Sequence, residues 1–92
     1  MESKRVLIAD DDPVFVAAVS AVLQTRYAVT TASNGTEALE EVAKQPPDLI
    51  ILDVMMDYMS EGFDVARKLR TNPETKSIPL IMLTGVDQLY NY

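Results

Sequence analysis

The apolar run at residues 49–52 is the sequence feature that most constrains the fold of this chain. It reads LIIL, follows the pair Pro46-Pro47 and ends at the carboxylate of Asp53. A short apolar run after a helix-breaking pair is typical of a β-strand that is buried on both faces. A strand of that kind lies inside a sheet. We therefore expect a central strand that delivers Asp53 to one edge of a sheet.

The rest of the chain alternates between strand and helix patterns. Further strand-like runs lie at residues 6–9, 27–32 and 78–83. Helical patterns follow at residues 13–24, 36–44 and 63–71, and a fourth helix starts at 86–92. This alternation predicts an α/β fold with a doubly wound parallel sheet, right-handed crossovers and helices on both faces. The functional site is then expected beyond the carboxyl ends of the strands.

Several local details follow from the same patterns. Asp12 before Pro13 is the expected N-cap of the first helix. The polar pair Thr30-Thr31 makes the second strand suited to a sheet edge. Helical spacing predicts inward-facing residues, which are Phe15, Val16, Val19, Val22 and Leu23 in the first helix, Ala38, Leu39, Val42 and Ala43 in the second, and Phe63, Ala66 and Leu69 in the third.

Length and composition limit the classes of protein to which the chain can belong. Its 92 residues predict a single domain, residues 1–92. Cysteine and histidine are both absent, which excludes a disulfide framework, a thiolate metal site and a histidine general base. The formal net charge of −6 argues against direct nucleic-acid binding, which depends on Lys and Arg. The apolar runs are too short for a signal peptide or a membrane span, so we expect a cytoplasmic location.

Acidic and hydroxyl side chains follow three of the four predicted strands. Asp10 and Asp11 follow the first strand, Asp53 ends the third, and Thr84 follows the fourth. If these strands are neighbours, each pair of carboxylates at about 4 Å repels by roughly 1–4 kcal/mol. A hard divalent cation would offset that repulsion, and an oxygen-only ligand set favours Mg²⁺ or Mn²⁺ over zinc. Taken one at a time, each of these residues is more often a solvated acid, a turn residue or a helix cap. Taken together, they indicate a functional site. A carboxylate beside a cation in such a site is able to form an aspartyl phosphate.

Four segments of the sequence resemble the receiver domain of two-component response regulators. They are VLIADDDP at residues 6–13, NGTEAL at 34–39, PDLIILDVMM at 47–56 and IPLIMLTG at 78–85. The resemblance runs through nearly the whole chain, in order and with the spacing of that family. It implies the flavodoxin-like receiver fold and a role in signal transduction.

The resemblance also implies roles for individual residues. Asp53 would accept a phosphoryl group from a sensor histidine kinase or a phosphotransfer protein. Asp10, Asp11, Asp53 and the backbone carbonyl of Met55 would hold Mg²⁺, and Thr84 would be the switch hydroxyl. The chain would then be a phosphoacceptor and not an enzyme, with at most slow self-dephosphorylation.

The sequence departs from the family pattern in two places. Asp57 stands where the family usually has proline, and the loop after Asp53 is one residue longer. The family also has five strand-helix units, and a lysine ends the fifth strand. The residues of this sequence form about four such units, and the last lysine among them is Lys76. We therefore expect an incomplete receiver, either a piece of a longer one or a shorter chain in its own right. Its open strand-four edge would favour self-association.

Two other functions remain alternatives at this point. The first is an interaction or dimerisation module that no longer performs phosphotransfer switching. The second is a phosphatase similar to the haloacid-dehalogenase family, in which Asp10 of the Asp10-Asp11-Asp12 run would be the nucleophile. Asp53 has no role in that family, and the chain is short for it. Phosphorylation that depends on Asp53 favours the receiver, and phosphorylation that depends on Asp10 alone favours the phosphatase.

Overall fold

A computed structural model of the chain describes residues 4–53 and 61–83, with side chains described from residue 64 onward in the second range. Strands and helices alternate along these residues. In chain order they are β1 Arg5–Ala9, α1 Pro13–Leu23, β2 Ala28–Ala32, α2 Gly35–Lys44, β3 Leu49–Asp53, α3 Glu61–Thr71 and β4 Leu80–Leu83. None of these helices has the length and apolar character needed to cross a membrane.

The four strands form one parallel sheet with the order β2-β1-β3-β4. This order confirms the predicted doubly wound sheet. The chain moves outward from β1 to β2 and then returns past β1 to β3, so the direction of winding reverses between β1 and β3. That reversal is the topological switch point where ligands bind in sheets of this type. As predicted, β3 is an interior strand and β2 lies at an edge.

Side-chain caps determine where α1 and α2 begin. The Asp12 carboxylate accepts hydrogen bonds from the backbone N–H groups of Val14 and Phe15, at 3.0 and 3.3 Å. The Asn34 side chain accepts one from the N–H of Glu37 at 2.8 Å. These N–H groups have no partner inside their own helix, so the caps stabilise both helix starts. The prediction that Asp12 caps the first helix is confirmed.

One face of the sheet carries the hydrophobic core. Leu7 and Ala9 of β1 lie on this face beside Ile50 and Leu52 of β3, and all four are at most 1% exposed. Helices α2 and α3 cover the face with their own buried residues, which are Ala38, Val42, Val65 and Leu69. Val65 was absent from the predicted inward set, and it is only 3% exposed.

The opposite face of the sheet is covered only in part by the described residues. Val6 and Ile8 of β1 are at most 2% exposed, because α1 packs against β1 and β2. Farther from α1, Leu49 and Ile51 of β3 are half-buried, and Ile81 of β4 is 47% exposed. The prediction that the third strand is buried on both faces is therefore wrong for this face.

Other local predictions also need correction. Val22 is 71% exposed, and Ala43 is exposed as well, although both were expected to face inward. Both residues lie at the margin of the apolar stripe of their helix. How much of such a stripe is buried depends on the elements that pack against the helix, and helical spacing does not identify those elements. The fourth strand begins at Leu80, later than expected. Pro79 has no N–H for a strand ladder, and only its carbonyl takes part, accepting from Ile50 N–H at 3.0 Å.

The cap at Asp12 leads to a test of fold stability. Asp12→Ala removes the acceptor for two N–H groups, and we expect it to lower the free energy of unfolding by about 1 kcal/mol. Asp12→Asn is the matched control, because asparagine caps equally well and also removes one negative charge. Urea denaturation of both variants measures the difference. Equal loss of stability in the two variants would show that the charge of Asp12, and not its capping, stabilises the helix start.

Candidate functional site

The register of the parallel sheet brings two carboxylates to the same edge. Ala9 of β1 is paired with Leu52 of β3, so the next residues, Asp10 and Asp53, stand side by side at the carboxyl ends of these strands. Neighbouring strands lie about 4.8 Å apart, which fixes the separation of the two residues. This is the position at which the winding of the sheet reverses. The predicted pair is therefore brought together by the strand order itself.

A third carboxylate, that of Asp11, joins this pair. One carboxylate oxygen each of Asp10, Asp11 and Asp53 lies within 4.8 Å of the others. We call these three residues the carboxylate cluster. Asp11 is exposed and Asp53 is half-buried, whereas Asp10 is only 8% exposed. The cluster therefore has an inner wall at Asp10 and an open side toward solvent at Asp11.

Asp10 is held in place from both its backbone and its side chain. Its backbone N–H donates to the carbonyl of Ala32 at 3.0 Å, which ties it to the end of β2. Its carboxylate oxygen Oδ1 accepts from the backbone N–H of Asp12 at 2.9 Å. Only one of the two carboxylate oxygens is used in that bond. The other is available for a ligand in the cluster.

The electrostatics of the cluster are unfavourable to a third ionised carboxylate. Burial raises the pKa of Asp10 above its usual 3.8, and the negative charges of Asp53, Asp11 and Asp12 raise it further. The hydrogen bond from the Asp12 N–H acts in the opposite direction and lowers it. Desolvation and like charge together outweigh that bond. A bound cation would relieve both effects, because it restores favourable surroundings for the ionised form.

The donor set fits a hard divalent cation. All three groups are carboxylates, they converge within 4.8 Å, and the chain has no cysteine or histidine to favour a softer metal. Mg²⁺ is commonly held by one or two carboxylates together with waters and a phosphate. Asp12, which was favoured as a cap over a ligand, uses its side chain at the start of α1. The predicted Met55 carbonyl and the Thr84 hydroxyl lie outside the described residues.

A cleft of about 480 Å³ adjoins the cluster on the side of β2. It is lined by Asp10, Asp11, Pro13, Val16, Ala17, Thr31, Ala32, Ser33 and Glu37. Glu37 was not among the residues predicted to lie in this region. Its carboxylate accepts from the N–H and the hydroxyl of Ser33, at 2.8 and 2.9 Å, and these bonds lower its pKa. The sequence contained a signal for the capping role of Glu37, because an Asn or Asp followed three positions later by Glu is typical of a capped helix start.

The similarity to known proteins extends over most of the chain. The family model of the response regulator receiver domain matches residues 6–91. The response regulator PleD of Caulobacter vibrioides is 43% identical over 86 residues, which cover 92% of this chain and 19% of that protein. The chain therefore spans about a fifth of the length of this relative.

Solved structures give the same result for the fold. The N-terminal domain of a response regulator receiver protein from Methanoculleus marisnigri is 38% identical, with a TM-score of 0.81 over 88% of this chain and 66% of that one. The chemotaxis response regulator CheY4 of Vibrio cholerae is 37% identical, with a TM-score of 0.81 over 87% of this chain and 67% of that one. Both likenesses support the predicted receiver fold.

The raised pKa of Asp10 predicts a pH dependence of stability without metal. The folded state binds this proton more tightly than the unfolded state, so ionised Asp10 destabilises the fold at neutral pH. The penalty should diminish as the pH falls through the raised pKa, and it should vanish below 3.8. We expect Asp10→Asn to be more stable than the unsubstituted chain at pH 7 in EDTA, with a difference that shrinks toward pH 4.

The measurement is urea denaturation of the two proteins across that pH range. Glu40→Gln is the control, because Glu40 is an exposed acid on α2 outside the cluster. It should show no such convergence with pH. A difference for Asp10→Asn that stays constant from pH 7 to pH 4 would contradict the assignment of the effect to ionisation.

Proposed function

The chain belongs to the response regulator receiver domain family, and on this premise we propose that it is a phosphoacceptor module in which Asp53 takes the phosphoryl group. Receiver domains of two-component systems are in general phosphoacceptors and not enzymes. The single observation that supports Asp53 most strongly is its position. It ends an interior strand at the switch point, half-buried, with two further carboxylates within 4.8 Å.

The chemistry follows from that position. A carboxylate oxygen of Asp53 attacks the phosphorus of a phosphohistidine on the donor protein. A P–O bond forms as the P–N bond breaks, and the departing imidazole nitrogen takes up a proton. Attack by an anion on an anionic phosphoryl group is slow unless negative charge is neutralised and the groups are held in line. Asp10 and Asp11 would hold a divalent cation beside Asp53, and that cation would supply the neutralising charge.

Mg²⁺ is the proposed cofactor, and Mn²⁺ is an acceptable substitute by ligand type. When bound, it neutralises charge on the incoming phosphoryl oxygens. Its protein ligands in this proposal are Asp10, Asp11, Asp53 and the backbone carbonyl of Met55. Thr84 is the proposed switch hydroxyl. It directly follows Leu83, which is paired with Asp53 across β3 and β4.

We propose that residues 1–92 belong to one receiver domain and contain about four of the five strand-helix units of the family pattern. The 92 residues contain no lysine after Lys76, so the lysine that ends the fifth strand in the family pattern is not among them. The alternative is an interaction module without competent switching. A haloacid-dehalogenase-like phosphatase is a remote alternative, because it gives no role to Asp53.

Phosphorylation by a small donor tests the phosphoacceptor proposal. With acetyl phosphate and Mg²⁺, we expect a gain in mass of one phosphoryl group, which Asp53→Asn abolishes because the amide is not a nucleophile. Glu40→Gln is the control and should be phosphorylated normally. EDTA should prevent the reaction in the unsubstituted chain. Intact-protein mass spectrometry gives the readout.

Beryllofluoride, a phosphoryl mimic, separates the alternatives. Saturable binding that needs Mg²⁺ and Asp53 supports the receiver function. No binding, in a protein that remains folded by circular dichroism, would favour the interaction module. Phosphorylation that survives Asp53→Asn and disappears with Asp10→Asn would favour the phosphatase.

The proposed partner is a sensor histidine kinase or a phosphotransfer protein, and α1 offers a surface for it. This helix reads PVFVAAVSAVL, with no charged residue, and none of its eleven residues is buried. A helix that is apolar all round is typical of burial in a core or an interface. It starts immediately after the carboxylate cluster. An apolar helix of the partner that carries the phosphohistidine would therefore contact α1 while its imidazole reaches Asp53.

Val14 tests this docking surface, because it is 77% exposed in the first turn of α1. Val14→Gln removes an apolar contact worth about 1.5 kcal/mol, so transfer from the kinase should lose about tenfold in kcat/KM, mainly through KM. The rate with acetyl phosphate should not change. Val22→Gln is the matched control, since Val22 is 71% exposed but lies about 12 Å farther along the helix. Equal losses for the two variants would contradict docking near the cluster.

The remaining proposals concern location and other partners. A cytoplasmic location is proposed from the signalling role of the family. Direct nucleic-acid binding by this segment is not expected, because its formal net charge is −6. Self-association through the β4 edge is also proposed.

A further inference from the structure

The Ala32–Ser33 peptide group lies between Glu37 and the carboxylate cluster. Its carbonyl, which belongs to Ala32, accepts the backbone N–H of Asp10 at 3.0 Å. Its N–H, which belongs to Ser33, donates to the Glu37 carboxylate at 2.8 Å. A peptide group is planar, because its C–N bond has partial double-bond character. The direction of its N–H therefore fixes the direction of its carbonyl, and Glu37 is connected to Asp10 through one rigid group.

The Glu37 carboxylate holds this peptide group from two sides of one residue. Its oxygen Oε1 accepts from the Ser33 hydroxyl at 2.9 Å as well as from the Ser33 N–H. Hydrogen bonds to a charged acceptor are about twice as strong as those between neutral groups. A charged acceptor at the N–H also polarises the peptide group, which makes the Ala32 carbonyl a better acceptor for Asp10. Both effects favour a fixed position for the end of β2.

The Glu37 side chain reaches farther back along the chain than a helix cap requires. In a capping box, the glutamate at the third helical position accepts from the N–H of the N-cap residue. The N-cap of α2 is Asn34, whose side chain accepts from the Glu37 N–H at 2.8 Å. The Glu37 carboxylate accepts from Ser33, one residue before the cap. This bond therefore connects the start of α2 to the end of β2.

Hydrogen bonds on two sides oppose a movement of Asp10 out of the carboxylate cluster. Such a movement is favoured by repulsion, because the carboxylate oxygens of Asp11 and Asp53 lie within 4.8 Å. On one side, Asp10 Oδ1 accepts from the Asp12 N–H at 2.9 Å. On the other side, the Asp10 N–H donates to the Ala32 carbonyl. The second of these bonds is the one that depends on the peptide group held by Glu37.

We infer that Glu37 is a positioning residue of the cation site, because it fixes the Ala32–Ser33 peptide group that holds Asp10 in the carboxylate cluster. Glu37 acts through this peptide group and not as a ligand. The role rests on the proposed binding of a divalent cation by the cluster. A ligand that is already held in place binds an ion more tightly, since less freedom of movement is lost on binding.

The test is the dissociation constant for Mg²⁺, from NMR shifts of the backbone amides in the 92-residue chain without a phosphoryl donor. Glu37→Ala removes both bonds to Ser33. It should raise the constant roughly threefold, less than the roughly tenfold loss that follows removal of a direct support of a metal ligand. Glu37 is exposed, so its truncation leaves no cavity. Alanine is a good helix former, so α2 should remain folded.

Three further variants separate the hydrogen bonds from charge and from stability. Glu37→Gln loses the charge but keeps an oxygen that accepts from Ser33, so it should retain most of the affinity. Glu40→Ala makes the same change at another exposed glutamate of α2, and it should bind Mg²⁺ as the unsubstituted chain does. Val42→Ala truncates a side chain that is only 4% exposed. It should lower the urea midpoint and leave the affinity of the folded chain unchanged.

Hydrogen exchange of the Asp10 amide gives a second readout, without metal. In EDTA, its exchange rate relative to that of the Ile50 amide should rise in Glu37→Ala, because the bond to the Ala32 carbonyl opens more often. Ile50 is the internal reference, since its N–H donates to the Pro79 carbonyl elsewhere in the sheet. The ratio should stay unchanged in Glu40→Ala.

Several results would overturn the positioning role. Equal Mg²⁺ affinity in Glu37→Ala and the unsubstituted chain would do so and leave the cation site intact. An equal loss in Glu37→Gln would assign the effect to charge, and an equal loss in Val42→Ala would assign it to stability. Absence of Mg²⁺ binding in every one of these proteins would overturn the cation site itself, and the role of Glu37 with it.

Discussion

The pairing of β1 with β3 is the constraint on which the rest of the structure depends. Its register sets Asp10 beside Asp53, two like charges at the end of neighbouring strands. A shift by one residue would separate them, and it would also turn Leu7 and Ala9 away from the core face. Burial of those side chains therefore determines the register. The hydrophobic effect on the core face holds together carboxylates that would otherwise move apart.

Sequence patterns predicted the fold and the carboxylate cluster because both depend on periodicity and topology. Apolar runs located the strands, strand-helix alternation implied a parallel sheet, and the carboxyl ends of such strands share one edge. The start of the first helix followed from Asp12, because its capping is local chemistry. These features can be predicted from residues that are close together in the sequence and from the right-handedness of the crossovers between parallel strands.

The errors have a common physical origin in tertiary contacts. The run at residues 49–52 is apolar on both sides, but how deeply each side is buried depends on which helix lies over it. Helix α1 covers β1 and β2, so Ile51 remains half-buried although its sequence is typical of a core strand. The exposure of Val22 has the same explanation, because an apolar helix gives no internal sign of which side is covered. Glu37 was missed because its capping pattern indicates only a helix start, whereas its position at the cleft depends on how the chain folds.

The apolar surface of α1 and the carboxylate cluster beside it act together on the choice of partner. Helix α1 has no charged residue and none of its eleven residues is buried, and it starts next to the cluster. The apolar surface favours contact with another protein, whereas the carboxylates oppose the approach of a second acidic protein. An apolar surface beside a charged reaction centre therefore favours a partner that must leave again after the transfer.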